Sequence, residues 1–542
     1  MPSSSANLIH HFLEESARAF PDKCALIHGA TRVSYGELNR DANRIAHWLL
    51  SRGVLPGDRV VLLLENCREY LAGYYGCLKT GGIAVPLNPE LKPDGLSGLL
   101  SSVEPRAIIS SARCEKTLHS MEFLGFPVGA LLLARPSLRW GDVPLSVYSF
   151  EEITGSGEAS EPDVSLEETS LGSIIFTSGS TGKPKGVMLS HRNIVANTRS
   201  IVSYLQLTSG DIQMVALPFF YVMGKSLLNT HVAAGGTIVI NNTFAYPASV
   251  IQQMIEEKVT GFSGVPSTYA YLLHRSPLRS VRDKLVSLRY CAQAGGHMAR
   301  HTKEELLRAL PEHTKLFVMY GATEASARLT YVEPHRLHEK IDSIGIPIPG
   351  VTMRVLDANG IDLPQGETGE LVACGPNIMP GYWNDPEATS RALSCHGYHT
   401  GDMGYRDEEG YFYVVGRKDN QLKVGGHRVN PQEIEDAVVA TGLVIECAVL
   451  GLLDQLAGHR LLAVVVPIEG ETTERDILYR CSQILPRIKL PGEIRFIKAL
   501  PKNSSGKIDR GACIELVSLG GCRTYGNQSN DPQLFHLTSL NV

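Results

Sequence analysis

Short apolar segments alternate with amphipathic helical segments through most of the chain, and this rhythm restricts the fold more than any other feature. The segment GDRVVLLLENC (57–67) is a continuous apolar strand, and a helical pattern after it ends at Gly81 and Gly82. The rhythm returns at MVALPFF, GTIVI, TGFSGV and LFVMYG. Uninterrupted apolar strands joined by helices are typical of parallel sheets covered on both faces. The sequence therefore predicts an α/β fold, with layered α/β subdomains and mixed, largely parallel sheets.

The pattern changes after about residue 415. DNQLKVGGHRV (419–429) has the composition of a glycine-rich polar loop. Asn430 and Pro431 then open a helix as its N-cap and first helical residue, and strand-like segments follow. We predict an N-terminal domain at 1–418, a small mobile α+β domain at 419–512 and a weakly structured tail at 513–542.

Composition excludes several classes of partner. The 542 residues carry a net charge of −5, so no basic excess favours a nucleic acid or an anionic membrane. No apolar run approaches the ~18 to 20 residues of a membrane span, and the first residues lack the pattern of a secretory signal. The 11 cysteines are scattered without metal-ligand spacing, which favours a reducing, cytoplasmic location.

The sharpest chemical feature is SIIFTSGSTGKPKGVMLSH (173–191). An apolar strand enters a loop whose glycines let backbone N–H groups turn inward, while hydroxyls and lysines add donors and charge, as a polyphosphate requires. Pro184 follows Gly182 and Lys183, so this is not a Walker A loop. The candidate phosphate-binding residues are Thr177, Ser178, Gly179, Ser180, Thr181, Gly182, Lys183 and Lys185.

Four more motifs follow in order: YGATE (320–324), YHTGD (398–402), GRKDNQLKVGGHRV (416–429) and PKNSSGKIDR (501–510). With the phosphate loop, they resemble the adenylate-forming superfamily of acyl-CoA synthetases, nonribosomal-peptide adenylation domains and luciferases. The resemblance covers roughly residues 8–511. It implies an ATP-dependent ligase that makes an acyl-adenylate and pyrophosphate from a small carboxylic acid, then transfers the acyl group to a thiol, with CoA as the expected acceptor.

The resemblance gives the motif residues roles that suit their chemistry. Tyr320 offers a flat face to adenine, and Thr323 can donate to a phosphate oxygen. Glu324 is a hard oxygen ligand of the kind that Mg²⁺ prefers. The Asp402 carboxylate can accept from the ribose hydroxyls, and Arg417 supplies complementary donors.

Lys507 matters most for catalysis. Negative charge gathers on phosphoryl oxygens when a carboxylate attacks the α-phosphorus of ATP, and an ammonium bridging substrate and phosphate stabilises it. The resemblance gives this role to Lys507. Lys502 and Arg510, in the same motif, are expected to be solvated.

The resemblance also implies a movement, because the small domain rotates between the two steps in the family. It places the hinge at Asp419. It places Gly425 and Gly426 along the acceptor channel, and Arg428 near the AMP phosphate in one conformation. For the two glycines, a loop that needs positive φ is the alternative explanation.

The segment LPFFYVMGKSLLNTHV (217–232) corresponds to the start of the acyl pocket. Residues 212–255 contain no acidic side chain, and a buried substrate ammonium without a counter-charge would be costly. We therefore expect a mostly apolar monocarboxylic acid without an α-ammonium. Lys225 either meets a second substrate carboxylate or is a solvated or salt-bridged lysine. The candidate lining residues are Phe219, Tyr221, Met223, Val265 and Ala294.

A glycine-containing segment lines the adenine and acyl pockets in the family. Here it comprises Gly295, Gly296 and His297, and the first two are expected at the nucleotide together with Gly321. His297 stands where the family usually has Pro, Ala or Glu, so a structural and a functional role are both open.

Two alternatives remain at this point. The acceptor could be the phosphopantetheine of a free carrier protein or an amine instead of CoA. The chain could also be a catalytically silent nucleotide-binding relative, although the intact Lys507, Glu324 and phosphate loop argue against this. The identity of the acid and the oligomeric state stay open.

Overall fold

A computed structural model of the chain describes residues 7–121, 123, 127–140, 145–177, 184–244, 246–418, 421–454, 458–468, 472–503 and 506–519. The helices are α1 His11–Ala19, α2 Tyr35–Ser51, α3 Arg68–Lys79, α4 Pro93–Val103, α5 Ala112–His119, α6 Phe150–Ser156, α7 His191–Leu205, α8 Val222–Ala234, α9 Pro247–Glu256, α10 Pro266–Arg275, α11 Leu278–Val281, α12 Arg300–Ala309, α13 Pro386–Ala392, α14 Pro431–Ala440, α15 Glu474–Ser482 and α16 Arg510–Ser518.

The strands of the first half are β1 Cys24–His28, β2 Thr31–Ser34, β3 Arg59–Leu63, β4 Ile83–Leu87, β5 Ala107–Ser111, β6 Ala130–Ala134, β7 Ser146–Ser149, β8 Leu171–Thr177, β9 Lys185–Ser190, β10 Ile212–Val215, β11 Thr237–Ile240 and β12 Gly261–Gly264. Those of the second half are β13 Tyr290–Gln293, β14 Lys315–Tyr320, β15 Thr330–Val332, β16 Ile346–Pro347, β17 Thr352–Leu356, β18 Gly369–Cys374, β19 Gly381–Tyr382, β20 Leu393–Ser394, β21 Gly397–Arg406, β22 Phe412–Arg417, β23 Leu422–Val424, β24 His427–Val429, β25 Val444–Asp454, β26 Gly458–Pro467 and β27 Glu493–Phe496.

Two large mixed sheets form most of the N-terminal part. One has the order β16-β15-β14-β13-β12-β10-β11-β1-β2, and the other has the order β19-β9-β8-β4-β3-β5-β6-β7. The inner ladders, such as β12 with β13 and β13 with β14, are parallel, whereas antiparallel pairs lie towards the edges. The predicted α/β fold with mixed, largely parallel sheets is confirmed.

The largest core lies between these two sheets. Helices α1, α2, α3, α7 and α8 contribute buried side chains to it, and each sheet adds residues from one face, such as Leu62 of β3 and Ile238 of β11. This layered arrangement buries apolar strands on both faces, which explains their uninterrupted apolar sequences.

A smaller α+β unit follows, as predicted, with the sheet order β24-β23-β26-β25 and β27 paired to β26. Two expectations for this region were wrong. The segment predicted as a polar loop contains the hairpin β23–β24, and helix α16 continues to Ser518, with Cys513 almost fully buried in it. Residues 520–542 of the predicted tail lie outside the described residues. Within the described ranges, no helix is both long and apolar enough to span a membrane.

Candidate active site

The site is built where neighbouring parallel strands end. Val265 follows β12, Gly295 lies two residues beyond β13, and Gly321 follows β14. Because the three strands are adjacent and parallel, their carboxyl ends bring these loops to one edge of the sheet. This is the edge at which ligands bind in open α/β sheets.

The phosphate loop joins two antiparallel strands. Thr177 ends β8 and pairs in register with Lys185, which begins β9. The Lys185 ammonium lies 5.2 Å from the centre of the Tyr382 ring. The candidate residues between them, Ser178, Gly179, Ser180, Thr181, Gly182 and Lys183, lie outside the described residues, so their phosphate-binding role stays a prediction.

The YGATE segment makes a tight, strained turn. A Cβ on Gly321 would lie only 2.0 Å from the Ala327 carbonyl oxygen, so this position requires glycine. Thr323 begins a short 3₁₀ turn, and Ser326 and Ala327 follow with φ values of +56° and +118°. Positive φ at non-glycine residues is unfavourable and concentrates at functional sites.

Glu324 is fixed at both its backbone and its side chain. The Met379 N–H donates to its carbonyl oxygen at 2.8 Å, and the Tyr382 hydroxyl donates to its Oε1 at 2.8 Å. The carboxylate is thus oriented beside the end of the phosphate loop, since Tyr382 also faces Lys185. A fixed carboxylate next to hydroxyl groups is a suitable partial ligand set for Mg²⁺.

Asp402 lies at the other side of the same cleft. Tyr320 donates its hydroxyl to Asp402 Oδ2 at 2.5 Å, and Arg417, its register partner on β22, has Nε 3.4 Å from Oδ1. Burial raises the pKa of Asp402, and the Tyr320 hydrogen bond and the charges of Arg417 and Lys507 oppose that rise. Tyr320, which is predicted to bind adenine, and Asp402, which is predicted to bind ribose, therefore lie in direct contact.

Lys507 reaches this cleft from the C-terminal unit. Its N–H donates to Asn503 Oδ1 at 3.1 Å, which closes the loop that carries it. The Lys507 residue is exposed to solvent. Desolvation and the charge of Arg417 lower the pKa of Lys507, against the attraction of Glu324 and Asp402. The structure thus brings the predicted catalytic lysine, metal ligand and ribose ligand together.

The predicted acyl-pocket residues adjoin this cleft. Phe219, Met223, Val265 and Ala294 are buried in one core, and Phe219 packs on Tyr70 at 5.3 Å between ring centres. Tyr221 is half-buried at the N-cap of α8. Their role as acyl contacts stays a prediction.

The acyl side and the catalytic loop meet at two glycines. A Cβ on Gly295 would lie 3.1 Å from Val265, and a Cβ on Gly506 would lie 3.2 Å from the same side chain. The carbonyl of neighbouring Gly296 accepts from Gln293 Nε2 at 2.7 Å. The loop before Lys507 therefore closes against the strand ends that carry the predicted pocket.

Two protein-family models match this chain. Residues 13–383 match the model described as AMP-binding enzyme, and residues 433–507 match the AMP-binding enzyme C-terminal domain. The chain belongs to the AMP-binding enzyme family. The predicted resemblance to adenylate-forming enzymes is confirmed.

Characterised relatives of this AMP-binding enzyme include CoA ligases for different acids. The feruloyl-CoA synthase of an Amycolatopsis species is 33% identical over 91% of this chain and 96% of its own. The long-chain-fatty-acid–CoA ligase of Bacillus subtilis is 31% identical over 94% of both chains. The crystal structure of the anthranilate CoA ligase AuaEII with anthranoyl-AMP superposes with a TM-score of 0.86 at 24% identity, covering 95% of this chain and 98% of that one, and supports the fold.

Other predicted residues of the AMP-binding enzyme are not brought to the cleft. Gly425 and Gly426 form the two-residue turn of the β23–β24 hairpin with φ of +53° and +83°, so the turn itself explains both glycines. Arg428 is exposed on β24, and in the described part of the chain no ion pair joins it to the nucleotide residues. Asp419, the predicted hinge, lies outside the described residues.

The expected surroundings of two lysines and one arginine were wrong. Lys225 is neither solvated nor salt-bridged: it is 2% exposed, donates to Ser173 Oγ at 3.0 Å and lies 4.7 Å from the Tyr74 ring centre. Burial lowers its pKa to about 7. Lys502 and Arg510 are also not solvated, because they pair with carboxylates of their own domain, Glu446 and Glu435.

The two domains touch through residues that the motifs did not identify. Ser267 Oγ donates to the Gly506 carbonyl at 3.0 Å, next to Lys507. His297 Nε2 lies 2.9 Å from Asp436 Oδ2 on α14. His297 therefore contacts the C-terminal domain in the arrangement that places Lys507 in the cleft. In the sequence, His297 attracts attention only because it departs from the family pattern.

We expect His297→Ala to slow adenylation by about two- to fivefold, because a partly exposed ion pair contributes up to ~1 kcal/mol. Transfer to the acceptor should not slow, since the contact belongs to the adenylation arrangement. The two steps are measured separately under single-turnover conditions. Asp436→Asn should have the same effect, and the double variant should be no slower than either single one. Additive losses would show that the contact is not coupled to adenylation.

Proposed function

We propose that the enzyme activates a carboxylic acid that lacks an α-ammonium and transfers the acyl group to CoA. The observation that carries the adenylation step is the convergence of Lys507 with Glu324 and Asp402 in one cleft. The CoA-ligase relatives, which align over nine-tenths of the chain, support CoA as the acceptor.

In the first step, a carboxylate oxygen of the acid attacks the α-phosphorus of ATP and pyrophosphate leaves. Lys507 stabilises the negative charge that develops on the phosphoryl oxygens, while Asp402 and Arg417 hold the ribose and Tyr320 supports the adenine. Glu324 would hold Mg²⁺, which neutralises phosphate charge when bound, and Thr323 would donate to a phosphate oxygen. In the second step, the CoA thiolate attacks the acyl carbon and AMP leaves.

The closed Lys507 loop would obstruct an approaching thiol, so a rearrangement must separate the steps. We propose that Asp419 is the pivot and that residues 419–512 move as the mobile domain. The contacts at Ser267 and His297 support this assignment, because each is small enough to break. We also propose a cytoplasmic location, which the free thiols of all described cysteines support.

The test combines the enzyme with ATP, Mg²⁺, a panel of carboxylic acids and hydroxylamine as trapping nucleophile. An accepted acid should yield a hydroxamate and pyrophosphate. With that acid, CoA, a pantetheinylated carrier protein and simple amines are then compared as acceptors. We expect thioester formation with CoA to be fastest. Faster transfer to the carrier protein or to an amine would overturn the assignment of CoA and leave the adenylation assignment intact.

A further inference from the structure

An uncompensated arginine is buried behind the catalytic turn. Arg328 is 3% exposed, and no described carboxylate lies within ion-pair distance of its guanidinium. Its hydrogen bonds to described residues go to neutral groups: Nε donates to Met319 Sδ at 3.2 Å, Nη1 donates to the Ala327 carbonyl at 3.3 Å, and the guanidinium is also hydrogen-bonded to the Tyr204 side chain. A guanidinium has five N–H donors, and burying it without an anion is costly. This charge therefore has no anionic partner within the described protein.

Polar groups of α7 surround the same position. Asn197 Nδ2 donates to the Arg328 carbonyl at 2.9 Å, and the Tyr204 hydroxyl donates to Met319 Sδ at 3.3 Å. Ser200 lies on the same helix face, one turn before Tyr204, and its buried Oγ has no hydrogen-bond partner among the described residues. The Tyr204 hydroxyl is protonated at neutral pH, as in any tyrosine, and can donate; burial raises its pKa further.

Residues predicted for the acyl pocket share a core with this cluster. Met319, which Arg328 contacts, is buried in the same core as Met223, Val265 and Ala294. Ser326, two residues before Arg328, lines a small cavity together with residues of α7 and α8. The strained positive φ of Ser326 and Ala327 turns the chain directly after Glu324 and directs Arg328 into the interior.

We propose that Arg328 binds a second carboxylate of the acid substrate, with the Tyr204 and Ser200 hydroxyls as further donors. This deepens the proposed function and rests on it. It changes the sequence-based expectation of a monocarboxylic acid and transfers the possible second anion site from Lys225 to Arg328. Lys225 donates to Ser173 and lies against the Tyr74 ring, and burial lowers its pKa to about 7. Arg328 also has only neutral partners, but a guanidinium has five N–H donors and stays charged at every physiological pH.

The test compares matched acids in pairs that differ only in a distal carboxylate or methyl group. One set consists of straight-chain diacids of four to ten carbons and monoacids of the same length. The other consists of benzoic, phenylacetic and cinnamic acids with a ring carboxylate or a ring methyl. For at least one pair, kcat/KM for pyrophosphate release should favour the diacid by roughly 10- to 100-fold, the range for a charge-assisted hydrogen-bonded pair.

Arg328→Met should remove this preference and leave or raise the activity with the monoacid, which also shows that the variant is folded. Arg192→Met, at an exposed position of α7, is the matched control and should retain the preference. If Arg328→Met does not fold, Arg328→Lys and Tyr204→Phe should each reduce the ratio several-fold.

A wild-type enzyme that favours the methyl acid in every pair would overturn the proposal, as would a ratio unchanged in the Arg328 variants. Either result leaves the proposed function intact, because the monoacids are still adenylated. Absence of pyrophosphate release with every acid would instead contradict the proposed function itself.

Discussion

Lys507→Ala should slow acyl-adenylate formation by roughly 10²- to 10³-fold, the effect of removing one preorganised charge donor. The physical reason is the position of the ammonium in the cleft, where its charge interacts with those of Glu324 and Asp402. The variant should stay folded, because the residue is exposed and the loop is closed by Asn503 and not by the ammonium. Single-turnover measurement of acyl-adenylate gives the rate directly.

Two controls separate catalysis from folding. Lys418→Ala removes an exposed lysine of the 416–429 segment, outside the loop that carries Lys507, and should have little effect on adenylation. The Lys507 variant should still transfer the acyl group from a supplied acyl-adenylate to CoA. The wild-type adenylation rate should also fall as the pH rises, and this fall should occur at a lower pH than the titration of an ordinary lysine. The reason is that the pKa of Lys507 is lowered and the charged form is required. Adenylation at the wild-type rate in Lys507→Ala would mean that Lys507 is an ordinary surface lysine.

Glu324→Gln should lower the adenylation rate by about 10²-fold or more and raise the Mg²⁺ concentration needed for half-maximal rate. The amide oxygen can still accept from Tyr382, so the variant removes the charge and keeps the geometry. Losing a carboxylate ligand weakens the binding of a hard cation whose charge stabilisation is worth several kcal/mol.

Tyr382→Phe is the matched control for this prediction, since it leaves the Glu324 charge and removes only the orienting hydroxyl. We expect a loss of about tenfold, the lower end of the range for one hydrogen bond to a charged group. The proposed metal role would be wrong if Glu324→Gln kept both the wild-type rate and the wild-type dependence on Mg²⁺.

The sequence predicted the parts of the site that lie within contiguous motifs. Glu324, Asp402 and Lys507 each belong to a short segment with its own turn chemistry, so their approximate surroundings follow from local sequence. Tyr382, which donates to Glu324, and Ser267, which donates to the Gly506 carbonyl beside Lys507, come from distant segments, and no local pattern relates them to the motifs. Contacts of this kind depend on the packing of sheets and domains.

The errors have similar physical causes. The pair Gly425 and Gly426 is a strong signal for a two-residue hairpin turn, but the short flanking strands are too polar to show a clear alternation. Lys225 and Arg328 look like surface residues by type, and only the tertiary structure reveals that both are buried. A charged residue without a nearby acid in sequence carries no indication of its burial.

The central claim is AMP-forming activation of an acid before transfer to CoA. The most direct measurement follows ATP labelled at the α- and γ-phosphates in a single turnover with an accepted acid, first without and then with CoA. Without CoA, we predict acid-dependent formation of labelled acyl-AMP and pyrophosphate. Addition of CoA should convert the acyl-AMP into acyl-CoA and AMP. Formation of ADP and orthophosphate as the direct products would contradict the account.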